Sequence, residues 1–544
     1  MFIGNRKILV CLFFAGILLR AQTPPPAVTP SDPGLRPAGI HAGFNVPDTH
    51  GNVIPDFVQP IDTTKNSAGN FLPNLTGDQT TFWFDALAIF GDIASVKGAP
   101  STEPIAGLGP AFNGSSCFMC HSQPAIGGSS PGPGTPLFTE NPQIIAASDR
   151  GATNTIPSFI TPSGPVREAR FVQNADGSLD GSVHELFVIK GRDDTPAACA
   201  IKQPDFQTQI SNNNLILRIP IPTFGEGFVE NTTDATLQSN LAALAAQKTA
   251  LGIKGRFNTN GNDGTITRFG WKAQNKSLLL FAGEATNVEM GVTNELFPSE
   301  KVPGQGCATN NLPEDLTNIV PLATLANEAN AGAAASAVSS EIENFTVFMR
   351  FNASPAQCDF ASGLDTNGNA LCKPLSALAQ HGRDLFGVPT TATPNAVSCI
   401  LCHSSHLVTA PSPFTDLSSA EFHPFSDFAL HHMGSTLADG INQGQAVADE
   451  FRTAPLWGLG QRIFFLHDGR TTDLLAAIQA HFSPVTDCTT VNTSSETFVL
   501  AGQSKSIPST TASFCGSEAN AVVNNFNALG SGDKQALLDF LRSL

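Results

Sequence analysis

Tyrosine is absent from this sequence of 544 residues, whereas phenylalanine occurs 39 times. At ordinary amino-acid usage a chain of this length carries on the order of ten or more tyrosines, so chance does not explain the absence. Every role that needs a phenol side chain is therefore excluded.

Basic residues and long apolar runs are also scarce. The chain has 29 Lys and Arg against 46 Asp and Glu, which gives a formal charge of -17. This charge disfavours binding to nucleic acid or anionic membranes. No segment beyond residue 20 approaches 18 uninterrupted apolar residues, so we expect no membrane span in the mature chain. No phosphate-binding loop, nucleophile elbow or zinc-protease motif stands out.

The first 21 residues have the build of a secretory signal peptide. Arg6 and Lys7 precede an apolar run from Ile8 to Leu19, Ala21 follows, and the segment has no acidic residue. The run is too short to span a bilayer. Cys11 lies inside the run rather than at its end, which argues against a lipoprotein anchor. We therefore expect export to the periplasm of a bacterium.

Two short motifs read C-x-x-C-H, the pattern that covalent haem c attachment requires. The attachment residues are Cys117, Cys120 and His121 in the first motif and Cys399, Cys402 and His403 in the second. In each motif the thiols would add to haem vinyl groups and the histidine would ligate the iron. A zinc half-site or a thioredoxin-like redox pair is the alternative. Zinc would need further ligand pairs, and a redox pair does not explain the histidines.

Two haems give the absence of tyrosine a second interpretation. A general replacement of tyrosine by phenylalanine would suffice, but strongly oxidising haem states also take electrons from tyrosine. Its removal would confine the oxidising equivalents.

Six cysteines remain after Cys11 and the four motif cysteines. An even number in an exported chain predicts three disulfides, although six cysteines allow fifteen pairings. We favour the pairs Cys358–Cys372, Cys488–Cys515 and Cys199–Cys307.

The sequence predicts a mainly α fold with two cytochrome c-like haem domains and a loop-rich, β-containing insertion. After an irregular lead-in at 22–75, the first domain spans 76–350 and includes the insertion at about 122–260. The second domain spans 351–544. A chain of this length accommodates two domains and an insertion.

Periodicity places the individual elements. Helices are predicted at Phe82–Val96, Leu375–Phe386 and Asp533–Leu544, with helix and loop at 310–345. The buried side of the first helix would hold Phe82, Ala86, Ile89, Phe90 and Ile93. Within 135–260, the runs Glu185–Lys190 and Asn214–Pro222 alternate as short strands do.

The second haem needs a ligand opposite His403. Leu474, Ala477, Ile478 and His481 stand at i, i+3, i+4 and i+7, which places His481 on the buried face of a helix. A lone histidine on such a face is usually a core residue, but a haem in the same domain favours ligation. Met433 is the competing ligand, and its thioether would give a higher potential.

Several segments in combination resemble the di-haem cytochrome c peroxidase and MauG superfamily. They are the two C-x-x-C-H motifs, Phe451–Leu459, Leu466–Arg470 and the helix that ends in His481. Gly107–His121, Arg268–Ala273 and His423–Gly434 resemble its long di-haem oxidoreductase branch more closely. The resemblance covers most of 80–544. The superfamily position that ligates the second haem, methionine in the peroxidases and tyrosine in MauG, falls here on His481.

The resemblance also implies two catalytic residues. Glu289 matches the distal acid of the peroxidases, and a carboxylate there can take a proton from hydrogen peroxide and deliver it to the leaving oxygen. Trp271 matches the region between the haems, where an indole could relay an electron. Without the resemblance, a solvated glutamate and a core tryptophan are the ordinary interpretations.

Some family peroxidases close the first haem with a histidine soon after its motif. Here the next histidine is His184, so we expect the first haem to stay open. A calcium ion between the haems would fit the family. However, neither Asp365, Asn367 and Asn369 nor the segment Asn260–Asp263 completes a calcium loop.

We therefore expect a periplasmic di-haem c oxidoreductase that reduces hydrogen peroxide at the first haem. Electrons would come from a small cytochrome or copper protein through the second haem. Two alternatives stay open: an oxidase or oxygenase of an organic or protein substrate, and a non-catalytic electron carrier.

Overall fold

The computed structural model describes 29–35, 69–94, 108–132, 138–189 except 139, 151 and 153, 198–301, 315, 339–357 except 356, 375–388, 397–486 and 511–544. It also describes the backbone of 488–492, 497–500 and 503–506. The predicted signal peptide, most of the lead-in and most of 310–345 lie outside these residues. So do Cys307, Cys358, Cys372, Asp365, Asn367 and Asn369.

The helices are α1 Gly77–Gly91, α2 Cys117–Cys120, α3 Pro142–Asp149, α4 Phe206–Ser211, α5 Glu226–Glu230, α6 Asp234–Ala242, α7 Ala245–Ala250, α8 Leu278–Ala285, α9 Glu341–Phe351, α10 Ala377–Phe386, α11 Leu474–Gln479, α12 Asn520–Ala528 and α13 Ser531–Leu541.

The strands are β1 Ala111–Phe112, β2 Glu168–Phe171, β3 Val183–His184, β4 Phe187–Val188, β5 Leu215–Arg218, β6 Leu407–Val408, β7 Glu421–Phe422, β8 Leu430–His432, β9 Glu450–Arg452, β10 Cys488–Asn492, β11 Thr497–Leu500, β12 Gln503–Ser506 and β13 Thr511–Cys515. Among the described residues, the largest sheet has three strands, in the order β3-β2-β5. The rest are antiparallel pairs. Short sheets among many helices are compatible with the predicted mainly helical fold.

Helix α1 begins earlier than predicted because Thr76 and Gln79 form a capping box at its start. Its buried face also differs from the prediction, since Trp83, Ala86, Leu87 and Phe90 point inward. Phe82 and Ile93 are more than a third exposed. The predicted apolar face differs from the observed one because it omits Trp83, whose large indole ring is fully buried.

Helix α1 packs against α9, and α10 packs against α13. In both pairs an aromatic ring at the end of the first helix faces the histidine of the C-x-x-C-H motif that follows. The ring centroids are 6.3 Å apart for Phe90 and His121. They are 6.4 Å apart for Phe386 and His403. The same local plan therefore occurs twice in the chain.

The predicted insertion contains strands β2 to β5 together with α3 to α7, and β4 and β5 lie within the predicted runs Glu185–Lys190 and Asn214–Pro222. The boundary between two haem domains stays a prediction. The apolar core around α1 and α9 also takes in Leu407, Phe422 and Trp457, which lie beyond residue 351. The two halves of the chain thus share one core.

Two described cysteines, Cys199 and Cys515, are disulfide-bonded. Cys515 stands opposite Cys488 in the antiparallel pair of strands β10 and β13. The predicted Cys488–Cys515 disulfide needs this register. The full connectivity stays a prediction. In the described parts of the chain, no helix combines the length and the apolar character that crossing a bilayer requires.

Gly382 sets how closely α10 and α13 approach. A Cβ atom at this position would meet the carbonyl oxygen of Ala536 at 1.9 Å. We predict that Gly382→Ala lowers the free energy of unfolding by about 1–3 kcal/mol through overpacking. Urea denaturation measures the change. Gly77→Ala is the matched control, since its Cβ would meet nothing within 4 Å. Equal stability of both variants with the parent would contradict this account of the helix contact.

Candidate functional site

Two large cavities lie in the structure, and each contains one C-x-x-C-H motif. Cys117, Cys120 and His121 line the first, whose empty volume is about 1240 Å³. The second, of about 1430 Å³, is lined by Cys399, Cys402 and His403. Both volumes include space that is open to solvent. Each cavity therefore offers room for a bound group beside its attachment residues.

The motif histidines are oriented as iron ligands require. His121 Nδ1 lies 3.0 Å from Gly128 O, and His403 Nδ1 lies 2.9 Å from Phe425 O. A carbonyl accepts from N–H, so Nδ1 carries the proton in each ring and the Nε2 lone pair can bind a metal. Burial lowers the pKa of both histidines to about 4, which keeps them neutral.

The donor set also fits haem c. Cys117, Cys120, Cys399 and Cys402 are free thiols. Burial raises the pKa of Cys117 and of Cys399 to about 12, so both stay protonated until they react. Among the described residues, buried Nε atoms without a hydrogen-bond partner include those of Arg167, Arg452 and Arg462.

These three arginines line the cavities, Arg167 the first and the other two the second. A buried guanidinium with unused donors suits an acidic group such as a haem propionate. The residues present therefore fit one haem in each cavity.

His481 and Met433 both line the second cavity. Helix α11 ends at Gln479, and His481 follows within the next turn. Its Nδ1 lies 2.8 Å from Ala477 O, so Nε2 again has its lone pair available. Leu474, Ala477 and Ile478 line the same cavity, as the helix-face argument requires. The Met433 side chain packs in an apolar cluster with Leu437 and Phe451, which line the same cavity.

Glu289 lies in the first cavity, on a π-helical turn at Thr286–Met290. Its backbone carbonyl accepts a bond of 2.7 Å from the Asn113 N–H, just before the first motif. Gly109 and Gly291 permit this approach, since a Cβ on Gly109 would meet Gly291 O at 2.2 Å. The close backbone contact fixes the carboxylate of Glu289 beside the cavity.

A second carboxylate, that of Glu168 in β2, is largely buried in the same cavity, and its charge acts on Glu289. Burial and then the charge of Glu168 raise the pKa of Glu289 to about 7. Burial also raises the pKa of Glu168, but the guanidinium groups of Arg170 and Arg218 outweigh it and hold that pKa below its usual value. Two carboxyls with separated pKa values form an acid/base pair near neutral pH.

Arginines and an amide orient the carboxylate pair. Arg170 Nε donates to Glu168 Oε1 at 2.7 Å, and Asn113 Nδ2 donates to Glu289 Oε2 at 2.9 Å. The sequence reasoning missed Glu168, Arg170 and Arg218. Only the alternation of Glu168-Ala169-Arg170 places two of these side chains on one face of a strand. Nothing in the sequence links Glu168 and Arg170 to Glu289, which follows about 120 residues later.

Trp271 lines both cavities. Its Nε1 donates to Ile219 O at 2.9 Å, which fixes the indole plane. The indole ring meets the His467 ring edge-on, with centroids 6.3 Å apart. His467 lines the second cavity. Trp271 therefore forms part of the wall of both cavities.

An oxygen-lined site next to Trp271 is filled by a lysine. Lys272 Nζ lies 2.8 Å from Val447 O, 2.9 Å from Glu450 O and 3.1 Å from Asp439 Oδ1. Of the predicted calcium candidates, only Asn260–Asp263 is described, and Asp263 pairs there with Lys276 at 2.6 Å. A calcium site stays a prediction. In the oxygen-lined site next to Trp271, the positive charge comes from the ammonium group of Lys272.

His184 does not reach the first cavity. It pairs with Asp180 at 2.8 Å and stacks on Phe171, with centroids 3.7 Å apart. Of the histidines that the structure describes, His121 is the one that lines this cavity. Glu289, Glu168 and Arg218 line the same cavity as His121.

Comparison with known proteins agrees with this geometry. The pattern of one family, described as "di-haem oxidoreductase, putative peroxidase", matches residues 169–487. Searches of curated proteins and of solved structures found no match. The matched segment covers more than half of the chain and includes Glu289, Trp271, the second C-x-x-C-H motif and His481. The chain belongs to the di-haem oxidoreductase family.

Proposed function

We propose that this oxidoreductase reduces hydrogen peroxide at the first haem, with electrons that arrive through the second. The observation that carries the proposal is the Glu168–Glu289 pair. It places a carboxyl with a pKa of about 7 in the first cavity, where His121 is the one described histidine in the lining. When bound, the haem supplies the iron that exchanges electrons with peroxide.

The chain's own part in the reaction is proton transfer. The carboxylate of Glu289 accepts the proton from one peroxide oxygen and returns it to the other, which leaves as water. Asn113 holds the Glu289 carboxylate in place at 2.9 Å. Glu168 stays ionised between Arg170 and Arg218, and its charge raises the pKa of Glu289 into the neutral range, where the carboxyl can both accept and return a proton.

The second cavity suits electron transfer rather than substrate binding. His403 and His481 would hold its iron, and apolar side chains such as Phe386, Leu474 and Phe526 line the space. Trp271 would relay electrons between the cavities. The acidic chain and its N-terminal segment support a periplasmic location and a basic donor, a small cytochrome or copper protein.

His481 should ligate the second iron in preference to Met433. His481→Gly removes an oriented Nε2 donor, so we expect the low-spin ferric haem to become high-spin. Met433→Leu should leave the low-spin signal intact, because it only replaces one apolar side chain by another. EPR of the ferric proteins makes the measurement. A sulfur-to-iron charge-transfer band in the parent that disappears in Met433→Leu would overturn this assignment.

Glu289→Gln should slow the peroxide reaction by a factor of about 10² to 10⁴, because the amide keeps the size of the side chain but cannot shuttle a proton. Stopped-flow absorbance after mixing with peroxide gives the rate. Glu284→Gln is the matched control, since Glu284 lines the same cavity. The spectra of the resting haems should be unchanged. A Glu289→Gln variant as fast as the parent would refute the proposal and direct attention to organic substrates and dioxygen.

The pH profile tests the carboxylate pair. Glu289 accepts a proton only when ionised, so the peroxide rate of the parent should rise with pH through about 7. Glu168→Gln removes the neighbouring negative charge, so the midpoint should move to lower pH. Stopped-flow rates between pH 5 and 9 locate it, and Glu284→Gln should leave it in place. A midpoint that stays near 7 in Glu168→Gln would show that Glu168 does not set the pKa of Glu289.

A further inference from the structure

A small hairpin beside the second motif brings two histidines and a glutamate together. Strands β6 and β7 pair with Leu407 opposite Phe422 and Val408 opposite Glu421. Continuing this register places His406 opposite His423. His406 Nδ1 lies 2.9 Å from Glu421 Oε1, and His423 Nε2 lies 3.5 Å from the same oxygen.

The rings are oriented for metal binding. His423 Nδ1 lies 2.7 Å from Ser405 O, so Nδ1 carries the proton and the Nε2 lone pair points toward Glu421. The His423 side chain is 10% exposed, so its orientation is fixed by packing. A ligand atom from each of His406, Glu421 and His423 lies within 4.8 Å of the others.

We propose that His406, Glu421 and His423 bind a divalent transition-metal ion of the zinc and copper class. Zinc binds histidine nitrogen and carboxylate oxygen at about 2.0–2.2 Å. Ligand atoms in a tetrahedral site are then about 3.4 Å apart, close to the spacing seen here. Calcium and magnesium prefer all-oxygen sites, so two imidazoles select against them.

The site is accessible and keeps an open coordination position. The His406 and Glu421 side chains are 55% and 59% exposed, so a fourth ligand can come from water or another molecule. The site also adjoins the second motif, because Ser405 and His406 follow His403 by two and three residues. His403 Nδ1 in turn donates to Phe425 O, two residues after His423. The proposed metal site therefore lies outside both cavities. It is on the same segment of the chain as His403, the proximal histidine.

The test is calorimetric titration with Zn²⁺ alone. The protein keeps its haems but is first freed of all other metal ions. We expect one site with a Kd below about 10 μM. His406→Gln and Glu421→Gln should each weaken binding by at least about tenfold, since each removes a ligand. His381→Gln is the matched control. His381 is also an exposed histidine paired with a carboxylate, Asp533, but the described residues offer it no third ligand.

Both test positions are exposed, so the variants should fold and show the haem spectra of the parent. Tight binding by the parent and His381→Gln, with weak binding by the two ligand variants, supports the proposal. No binding by the parent, or equal Kd values in the parent and in both ligand variants, would overturn it. Neither outcome bears on peroxide reduction, because no residue of the Glu168–Glu289 pair is involved.

Discussion

The arrangement of the two cavities depends on a buried ionic cluster. Asp439 accepts hydrogen bonds from Arg218, with Oδ2 2.6 Å from Nη2, and lies 3.1 Å from Lys272 Nζ. All three side chains are almost completely buried. Arg218 belongs to the insertion, Lys272 follows Trp271, and Asp439 comes from the second half of the chain. Removing one partner of such a cluster costs about 3–5 kcal/mol, because an unpaired charge then stays buried.

This cluster joins regions that carry different chemistry. Arg218 reaches the first cavity, where it helps to keep Glu168 ionised. Burial raises the pKa of Asp439, but the charges of Lys272 and Arg218 outweigh it and lower the pKa to about 2. Its stabilising contribution is therefore present above the ordinary carboxyl pKa and is lost only in strong acid. Lys272 of this cluster directly follows Trp271, which lines both cavities.

The sequence predicted what depends on short spacing. The two C-x-x-C-H motifs follow from short residue spacing. Local periodicity predicts the helices before and after the second motif and the helix face that carries His481. Glu289 and Trp271 came from resemblance. Glu289 lines the first cavity and Trp271 lines both, and their catalytic roles stay predictions. Helix α1 shows the limit of periodicity, since Trp83 rather than Phe82 is buried.

What the sequence could not predict are partners that the fold brings together over long distances. Glu168, Arg218, Asp439 and Glu289 come from four separate segments, and no local pattern connects them. His406 and His423 come together only through the register of a hairpin whose two strands have two residues each. Such short strands leave almost no periodic signal.

The central claim is that the two haems differ because their cavities differ. EPR of the ferric parent protein, recorded with and without cyanide, tests it most directly. The account predicts one high-spin haem that becomes low-spin when cyanide binds and one low-spin haem that does not respond. Two low-spin signals that are both indifferent to cyanide would contradict it, and the protein would then be an electron carrier.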